Sequence, residues 1–239
     1  MTTRNFDRLR REVAAHVAAD TIVQGIYWDE ETHRGCFIGC LAHDNDPAVN
    51  EAEYGLPIML QRIAESIFEA LPVDEAKAFF AALPDAVGCD GKDLSRVGWQ
   101  FLAAELRSLP PQPADIQVVI DPVVAGMDLL ANGHEWPADN AAYAAANAAT
   151  YATYATYAAH AAYAAACARA HAACARAHAA ATYATYAANA ANAANAAHAH
   201  AHAHAHAHAH AYASAYAANA ARLRQRDLLL QLISQAPRP

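Results

Sequence analysis

Apolar side chains recur at spacings of three and four along the first part of the chain, which is the period of an amphipathic helix. The first such segment runs from about Asn5 to Asp20. The same period, with Pro or Asp at the segment starts, predicts helices over about Pro57–Leu71, from Asp74 to just before Pro84, from Asp93 or Ser95 to Leu109, and from Asp121 to near Gly133. The pattern therefore predicts an all-α head of about five short helices.

Two stretches of the head depart from the helical period. The stretch from His43 to Asn50 is rich in Asp, Asn and Pro, which is typical of a loop. Ile116–Ile120 (Ile-Gln-Val-Val-Ile) follows a proline-rich connector and has the composition of a short β-strand. We therefore expect a loop at the first position and a β-prone run at the second.

The middle of the chain, residues 141–221, is built of exact copies of Thr-Tyr-Ala, Cys-Ala-Arg-Ala-His-Ala-Ala, Asn-Ala-Ala and His-Ala. Alanine occupies 47 of these 81 positions, and the block contains no Leu, Ile, Val, Phe, Met, Trp, Gly or Pro. Alanine has the highest helix propensity, so this block is predicted to be a long helical extension. The copies have disagreeing periods, which excludes a solenoid or a coiled coil.

The composition divides the chain into three predicted parts. Residues 1–140 form an acidic helical head, residues 141–221 an Ala-rich low-complexity extension, and residues 222–239 a C-terminal amphipathic helix. Four residues give this last helix its apolar face: Leu223, Leu229, Leu230 and Ile233. We expect this face to fold back onto another part of the protein.

Charge and cysteine content exclude several classes of function. The net charge is -8 overall, and residues 1–140 carry 23 acidic and 10 basic residues, which argues against nucleic-acid binding by the head. No stretch is long and apolar enough to predict a membrane span, and the charged N-terminal residues do not resemble a secretory signal. Five unevenly placed cysteines do not suggest a disulfide framework. We therefore expect a cytoplasmic protein without a nucleic-acid or membrane partner.

Cys36, Cys40 and His43 are the strongest candidates for chemistry. In a helix these positions, i, i+4 and i+7, stack on one face. Two thiolates and an imidazole suit zinc, which usually takes four ligands, and His16 on the apolar face of the first helix is the candidate for the fourth. The alternative is that both cysteines are small buried core residues and His16 is a hydrogen-bonded core histidine. In that case no cofactor is expected.

The same residues allow a nucleophilic alternative. Cys40 and His43 lie one helical turn apart, so the imidazole would activate the thiol, with Asp44 or Asp46 orienting the ring. The sequence contains no recognisable oxyanion loop and no signature of a cysteine hydrolase. A cysteine-dependent enzyme is therefore the third interpretation.

Seven histidines alternate with alanine between His198 and Ala211. Flexible His-rich tracts bind Ni, Cu or Zn to some degree, so this tract predicts adventitious binding of divalent metal. This binding requires no biological role for the tract. Any metal site in the head has to be distinguished from it.

Three motifs in the head resemble those of a known family. Arg34–His43 (R-G-C-F-I-G-C-L-A-H), Glu53–Pro57 and Ile63–Pro72 are similar to K-G-C-A-V-G-C-T-x-H, E-L-G-I-P and L-E-D-x-I-F-E-G-L-P of an uncharacterised family of small bacterial and phage proteins. That family also tends to end in an Ala/Tyr-rich helical region followed by a segment like Arg222–Leu229. Phe37 departs from the pattern, because the family has a small residue there. The exact copies in residues 149–211 also depart from it, and are typical of low-complexity slippage or of a sequence drawn from a generative model.

The resemblance covers about residues 12–109 and 222–234, and it implies a helical fold without an established activity. The leading hypothesis is a non-catalytic structural or interaction protein of bacterial or phage type. Its partner would be an unknown protein or a second copy, through self-association. The alternatives are a zinc-binding protein that uses Cys36, Cys40, His43 and His16, and an enzyme that uses Cys40 and His43.

Overall fold

A computed structural model describes residues 2–109, 111, 114–144 and 209–238. Their helices are α1 (Phe6–Ala19), α2 (Phe37–Ala42), α3 (Pro47–Tyr54), α4 (Ile58–Ala70), α5 (Val73–Val87), α6 (Val97–Arg107), α7 (Ala114–Ala131) and α8 (Ala209–Gln235). Residues 138–144 are also helical. The strands are β1 (Trp28–Asp29) and β2 (Arg34–Gly35), which pair antiparallel. The predicted all-α fold is confirmed. Among the described helices, none has the length and hydropathy needed to cross a membrane.

The described residues divide into two compact units. One comprises Met1–Gly98 with Asn219–Pro239, and the other comprises Trp99–Ala218. The predicted return of the C-terminal helix is confirmed, because the ammonium of Lys92 contacts the backbone of Ile233 and Ser234. The predicted extension falls mostly on residues 145–208, which lie outside the described residues, and the predicted boundaries at residues 140 and 221 stay predictions.

In the first unit, α2 is the central element. It packs against α1, α3 and α4, and five of its six residues are buried. Phe37 contacts the rings of Phe68, Phe79 and Phe80, with centroids 6.2, 5.3 and 5.6 Å away. The contacts with Phe68 and Phe80 are edge-to-face and the contact with Phe79 is tilted, and such ring contacts add to the stabilisation that comes from the buried area. The residue that departs from the family pattern is therefore a core residue here.

Glycines allow the β1–β2 hairpin to approach α2 at backbone distance. A Cβ atom at Gly39 would overlap the carbonyl of Tyr27, and one at Gly35 would lie 2.5 Å from the same oxygen. Only a residue without a side chain fits such a close approach. This contact fixes Trp28, the residue after Tyr27, beside the C-terminal end of α2.

The loop predicted at His43–Asn50 is partly wrong, because α3 begins within it. Asp46 accepts a hydrogen bond from the N–H of Ala48 through its side chain, and Pro47 occupies the first helical position. Both are features of a helix start, so residues that suggest a loop here form an N-cap instead. The helix ends at Gly55, which adopts a left-handed conformation.

Two further expectations are corrected. α5 begins at Val73 after Pro72 and continues through Pro84 to Val87, where Gly88 ends it, so Pro84 does not terminate the helix. The β-prone run Ile116–Ile120 is helical and forms part of α7, which also passes through Pro122. Burial follows a helical period in α7, at Val119, Ile120, Val123 and Met127. Packing of this face overrides the strand propensity of the individual residues.

A methyl group at Gly39 tests the contact between the hairpin and α2. Gly39→Ala is expected to lower the free energy of unfolding by about 2 kcal/mol or more, because the backbone of Tyr27 has to move. Gly98→Ala is the matched control, since it is also a helical glycine but its Cβ would meet the flexible side chain of Met59. Urea unfolding of both variants measures the difference, and equal losses would contradict this account of the packing.

Candidate metal centre

Two histidine rings meet at the C-terminal ends of α1 and α2. His16 lies on the buried face of α1, in its last turn. His43 is the C-cap residue of α2 and adopts a left-handed backbone conformation with φ of 51°. The two Nε2 atoms are 3.1 Å apart. The left-handed turn at His43 therefore directs its ring away from the rest of α2 and towards α1.

Glu12 completes a set of three donor groups. It precedes His16 by one helical turn, so both side chains leave the same face of α1. Its Oε2 is 3.8 Å from the Nε2 of His43. The nitrogen atoms of His16 and His43 and the carboxylate oxygen of Glu12 all lie within 4.8 Å of one another. About half of the His43 side chain is exposed, so the cluster is open to solvent on one side.

Thr21 orients the His16 ring from the side away from this cluster. The Oγ1 of Thr21 is 2.7 Å from the Nδ1 of His16, and it donates a hydrogen bond to the carbonyl of His16 at 3.4 Å. A hydroxyl has a single proton, so the Nδ1–H of His16 is then the donor to Thr21. The Nε2 atom of His16 therefore accepts a hydrogen bond from the Nε2–H of His43 at 3.1 Å.

The surroundings of His16 favour its neutral form. Burial is the main cause that lowers the pKa of His16, and the neighbouring His43 lowers it further. Glu12 acts in the opposite direction, but more weakly. A neutral imidazole with its lone pair on Nε2 is the form that binds a metal ion.

Trp28 covers one face of the histidine pair. Its indole stacks on the ring of His43 at a centroid distance of 4.7 Å and an angle of 19°, and it meets His16 edge-on at 6.0 Å. His33, in the turn between β1 and β2, lies 6.0 Å from the same indole on a tilted plane. Trp28 is therefore a natural spectroscopic reporter of changes at His43.

The two cysteines of the predicted zinc set lie in different surroundings. Cys40 is buried and donates its thiol proton to the carbonyl of Gly35 at 3.1 Å, and burial raises the pKa of Cys40 to about 12. Burial, followed by the charge of Glu65, raises the pKa of Cys36 well above its usual range. The thiol of Cys36 groups with the carboxyl groups of Glu65 and Glu69 rather than with a histidine.

The structure therefore brings together His16 and His43 of the predicted set, but not the complete set. Cys36 belongs to a separate group, and Cys40 belongs to neither group found among the described residues. The helical spacing places the two thiols on the buried side of α2. The left-handed conformation at His43 turns its ring away from that side. For the nucleophilic interpretation, the Cys40 thiol donates to Gly35 while the Nε2 of His43 faces His16.

Glu12 and Trp28 were not predicted from the sequence as residues of the site. A signal for Glu12 was present, because Glu12 and His16 are separated by one helical turn, a spacing that metal-binding helices use. No comparable signal pointed to Trp28, whose position depends on the close approach of the hairpin to α2. The seven-histidine tract between His198 and Ala211 lies outside the residues whose side chains the structure describes.

Comparisons with protein-family models, with curated proteins and with solved structures find no match. The family resemblance described above therefore depends on the quoted motifs alone, and the function has to be argued from the site.

Glu65, which belongs to the separate group with Cys36 and Glu69, is a buried carboxyl group. Its Oε2 accepts a hydrogen bond from the N–H of Ile38 at 3.0 Å, in the first turn of α2. Burial raises its pKa from the usual 4.5 to about 7. The protonated form is therefore favoured in the folded protein over much of the acidic range.

Replacement of Glu65 by glutamine tests this pKa. A carboxyl group with a raised pKa stabilises the fold fully below its unfolded pKa, and this contribution is lost as the pH rises through the folded pKa. The free energy of unfolding of the wild type, relative to that of Glu65→Gln, is therefore expected to fall by roughly 3 kcal/mol between pH 4.5 and 7.5. Urea unfolding at several pH values in this range measures the difference. Glu31→Gln, at an exposed position, is the control. A difference that does not change with pH would show that Glu65 titrates normally.

Proposed function

We propose that this protein is a non-catalytic helical protein that binds a divalent metal ion of the zinc class through Glu12, His16 and His43. The observation that carries the proposal is the 3.1 Å separation of the two Nε2 atoms. Zinc–nitrogen bonds of about 2.0–2.1 Å at a tetrahedral ion hold two ligand nitrogens about 3.3 Å apart. The contact is a hydrogen bond between the two rings, so the rings already lie at nearly the separation that an ion would require when it replaces the shared proton.

The donor set supports the choice of metal class. Imidazole nitrogen suits Zn, Cu, Fe and Ni, and a carboxylate oxygen is a common additional ligand. The Oε2 of Glu12 is 3.8 Å from the Nε2 of His43, which is near the separation of two ligand atoms on one tetrahedral ion, and a carboxylate oxygen of Glu12 lies within 4.8 Å of the donor nitrogen of His16. Three protein ligands leave room for water in the remaining position.

Thr21 supplies the support that metal-binding histidines usually have. A ligating histidine normally donates its second ring N–H to a neighbouring acceptor, which fixes the tautomer and the ring orientation. The contact of 2.7 Å between the Nδ1 of His16 and the Oγ1 of Thr21 has this form. The His16 imidazole is thus oriented before any ion binds.

The non-catalytic part of the proposal is supported by the state of the thiols. A nucleophilic cysteine requires a lowered pKa, whereas burial raises the pKa of Cys40 to about 12. The family resemblance, to small helical proteins of bacteria and phages, agrees with a structural or interaction role. Free thiols at Cys36, Cys40 and Cys89 fit the proposed cytoplasmic setting, and the acidic head fits the absence of a nucleic-acid partner.

The test is a titration of the full chain with Zn²⁺ and Ni²⁺, in which Trp28 fluorescence and calorimetry measure the binding. Ni²⁺ is expected to quench the indole that stacks on His43, and Trp28→Phe identifies the part of the signal that belongs to this residue. His43→Gln is expected to weaken the binding that Trp28 reports at least about tenfold, because one of three ligands is lost.

His33→Gln is the matched control, since His33 also lies beside Trp28 but does not belong to the donor set. It is expected to bind metal with the affinity of the wild type. The His-Ala tract is present in every variant and gives the same background in all titrations. Equal affinities of His43→Gln and His33→Gln, or no response of Trp28 to either ion, would overturn the proposal.

A further inference from the structure

A thiol and two carboxyl groups meet where the start of α2 packs against α4. Cys36 is the N-cap residue of α2, and Glu65 and Glu69 lie one turn apart on α4. Side chains at this spacing leave the same face of a helix. The Sγ of Cys36 and one oxygen of each carboxyl group all lie within 4.8 Å of one another. This group shares no residue with the histidine site at the other end of α2.

Backbone N–H groups orient the two carboxyl groups. The N–H of Ile38 donates a hydrogen bond to the Oε2 of Glu65 at 3.0 Å, and the N–H of Gly25 donates one to the Oε2 of Glu69 at 2.9 Å. Ligands of metal ions usually have outer hydrogen bonds of this kind, which fix their orientation. Because a carboxylate has two oxygens with about four lone pairs, each group can still bind an ion.

Within the part of the chain that the structure describes, no basic side chain forms an ion pair with Glu65 or Glu69. Arg62, one turn before Glu65, directs its guanidinium to Tyr27 instead, and donates a hydrogen bond to the hydroxyl at 3.0 Å. Glu65 is buried, and Cys36 is only 1% exposed. Buried acidic groups without a cation either stay protonated or bind one, so the charge balance of this group is incomplete.

We propose that Cys36, Glu65 and Glu69 form a second metal site, which binds a divalent ion of the zinc class. Thiolate sulfur and carboxylate oxygen are both zinc ligands, at about 2.3 and 2.0–2.2 Å. The sulfur disfavours Mg²⁺ and Ca²⁺, which take oxygen ligands, and the carboxylates disfavour Cu⁺. Such ligand atoms lie about 3.4–3.6 Å apart around a tetrahedral ion, so a movement of about 1 Å completes the set.

The ion replaces protons that the group holds in its absence. The thiol proton of Cys36 is released to solvent, because only the thiolate binds a metal, and Glu65 binds as a carboxylate. The charge of the ion then offsets the negative charges that burial disfavours. Glu69 is partly exposed, and a Cβ atom at Gly25 beside it would meet no atom within 4 Å. Ions therefore approach the site from the side of Glu69.

The test is a titration of the full chain with Co²⁺ under reducing conditions. A bond between Co²⁺ and a thiolate gives charge-transfer absorption in the near ultraviolet, which imidazole and carboxylate ligands do not give. Cys36→Ser is expected to abolish this absorption, because the oxygen replaces the only thiolate of the site. Cys40→Ser is the matched control, since Cys40 is also a buried thiol of the α2 segment but lies outside the group. It is expected to match the wild type.

A second variant covers the case in which Cys36→Ser does not fold, which circular dichroism detects. Glu69→Gln retains the size of the side chain and an oxygen for the N–H of Gly25, but removes the charge. It is expected to weaken Co²⁺ binding, measured by the same absorption, at least about tenfold. Glu31→Gln, at an exposed position, is expected to leave the affinity unchanged. Excess Zn²⁺ is expected to remove the absorption of the wild type by displacing the Co²⁺ ion.

Three results would overturn the proposal: no charge-transfer absorption in the wild type, equal absorption in Cys36→Ser and Cys40→Ser, or equal affinities of Glu69→Gln and Glu31→Gln. His43→Gln distinguishes this site from the histidine site. It is expected to keep the absorption and to weaken the response of Trp28, whereas Cys36→Ser is expected to do the reverse. Loss of both signals together in either variant would contradict the assignment of two separate sites.

Discussion

The close approach of the β1–β2 hairpin to α2 is the constraint on which the candidate site depends. The absence of a side chain at Gly39 allows the backbone of Tyr27 to lie directly on α2, and Gly35 of β2 allows the same carbonyl to lie close within the hairpin. That contact places Trp28 over the end of α2, where the left-handed conformation of His43 turns its ring towards α1. A larger residue at Gly39 would separate the indole from the histidine pair before it affected either histidine directly.

The histidine pair and the thiols illustrate how one short helix divides its side chains between two environments. Phe37 and Cys40 enter the apolar core, where burial keeps the thiol protonated. His43, only three residues beyond Cys40, leaves the helical row and meets a carboxylate and a second imidazole at a site open to solvent. We propose that the chemistry lies on this open side, because the donor atoms there are accessible to an ion.

The sequence predicted helices best where the helical spacing of apolar residues agreed with residues that start and end a helix, as in α1 and α4. It failed where a local signal competed with packing. The β-branched run Ile116–Ile120 is helical because its apolar residues continue the helical face of α7, and Asp46-Pro47 starts a helix rather than a loop. At the site, helical spacing predicted that Cys36 and Cys40 belong to one ligand set, whereas they share no donor group among the described residues. It could not predict the left-handed turn at His43, which depends on the backbone of one residue and decides which ligands meet.

The location of a bound ion tests the central claim most directly. Crystals of the zinc-loaded full chain, measured at the zinc absorption edge, give an anomalous map that distinguishes the head from the His-Ala tract. The account predicts a peak within about 2.0–2.2 Å of the Nε2 atoms of His16 and His43 and of the Glu12 carboxylate. A peak on the sulfur atoms of Cys36 and Cys40, or a map without a peak beside α1, would contradict it.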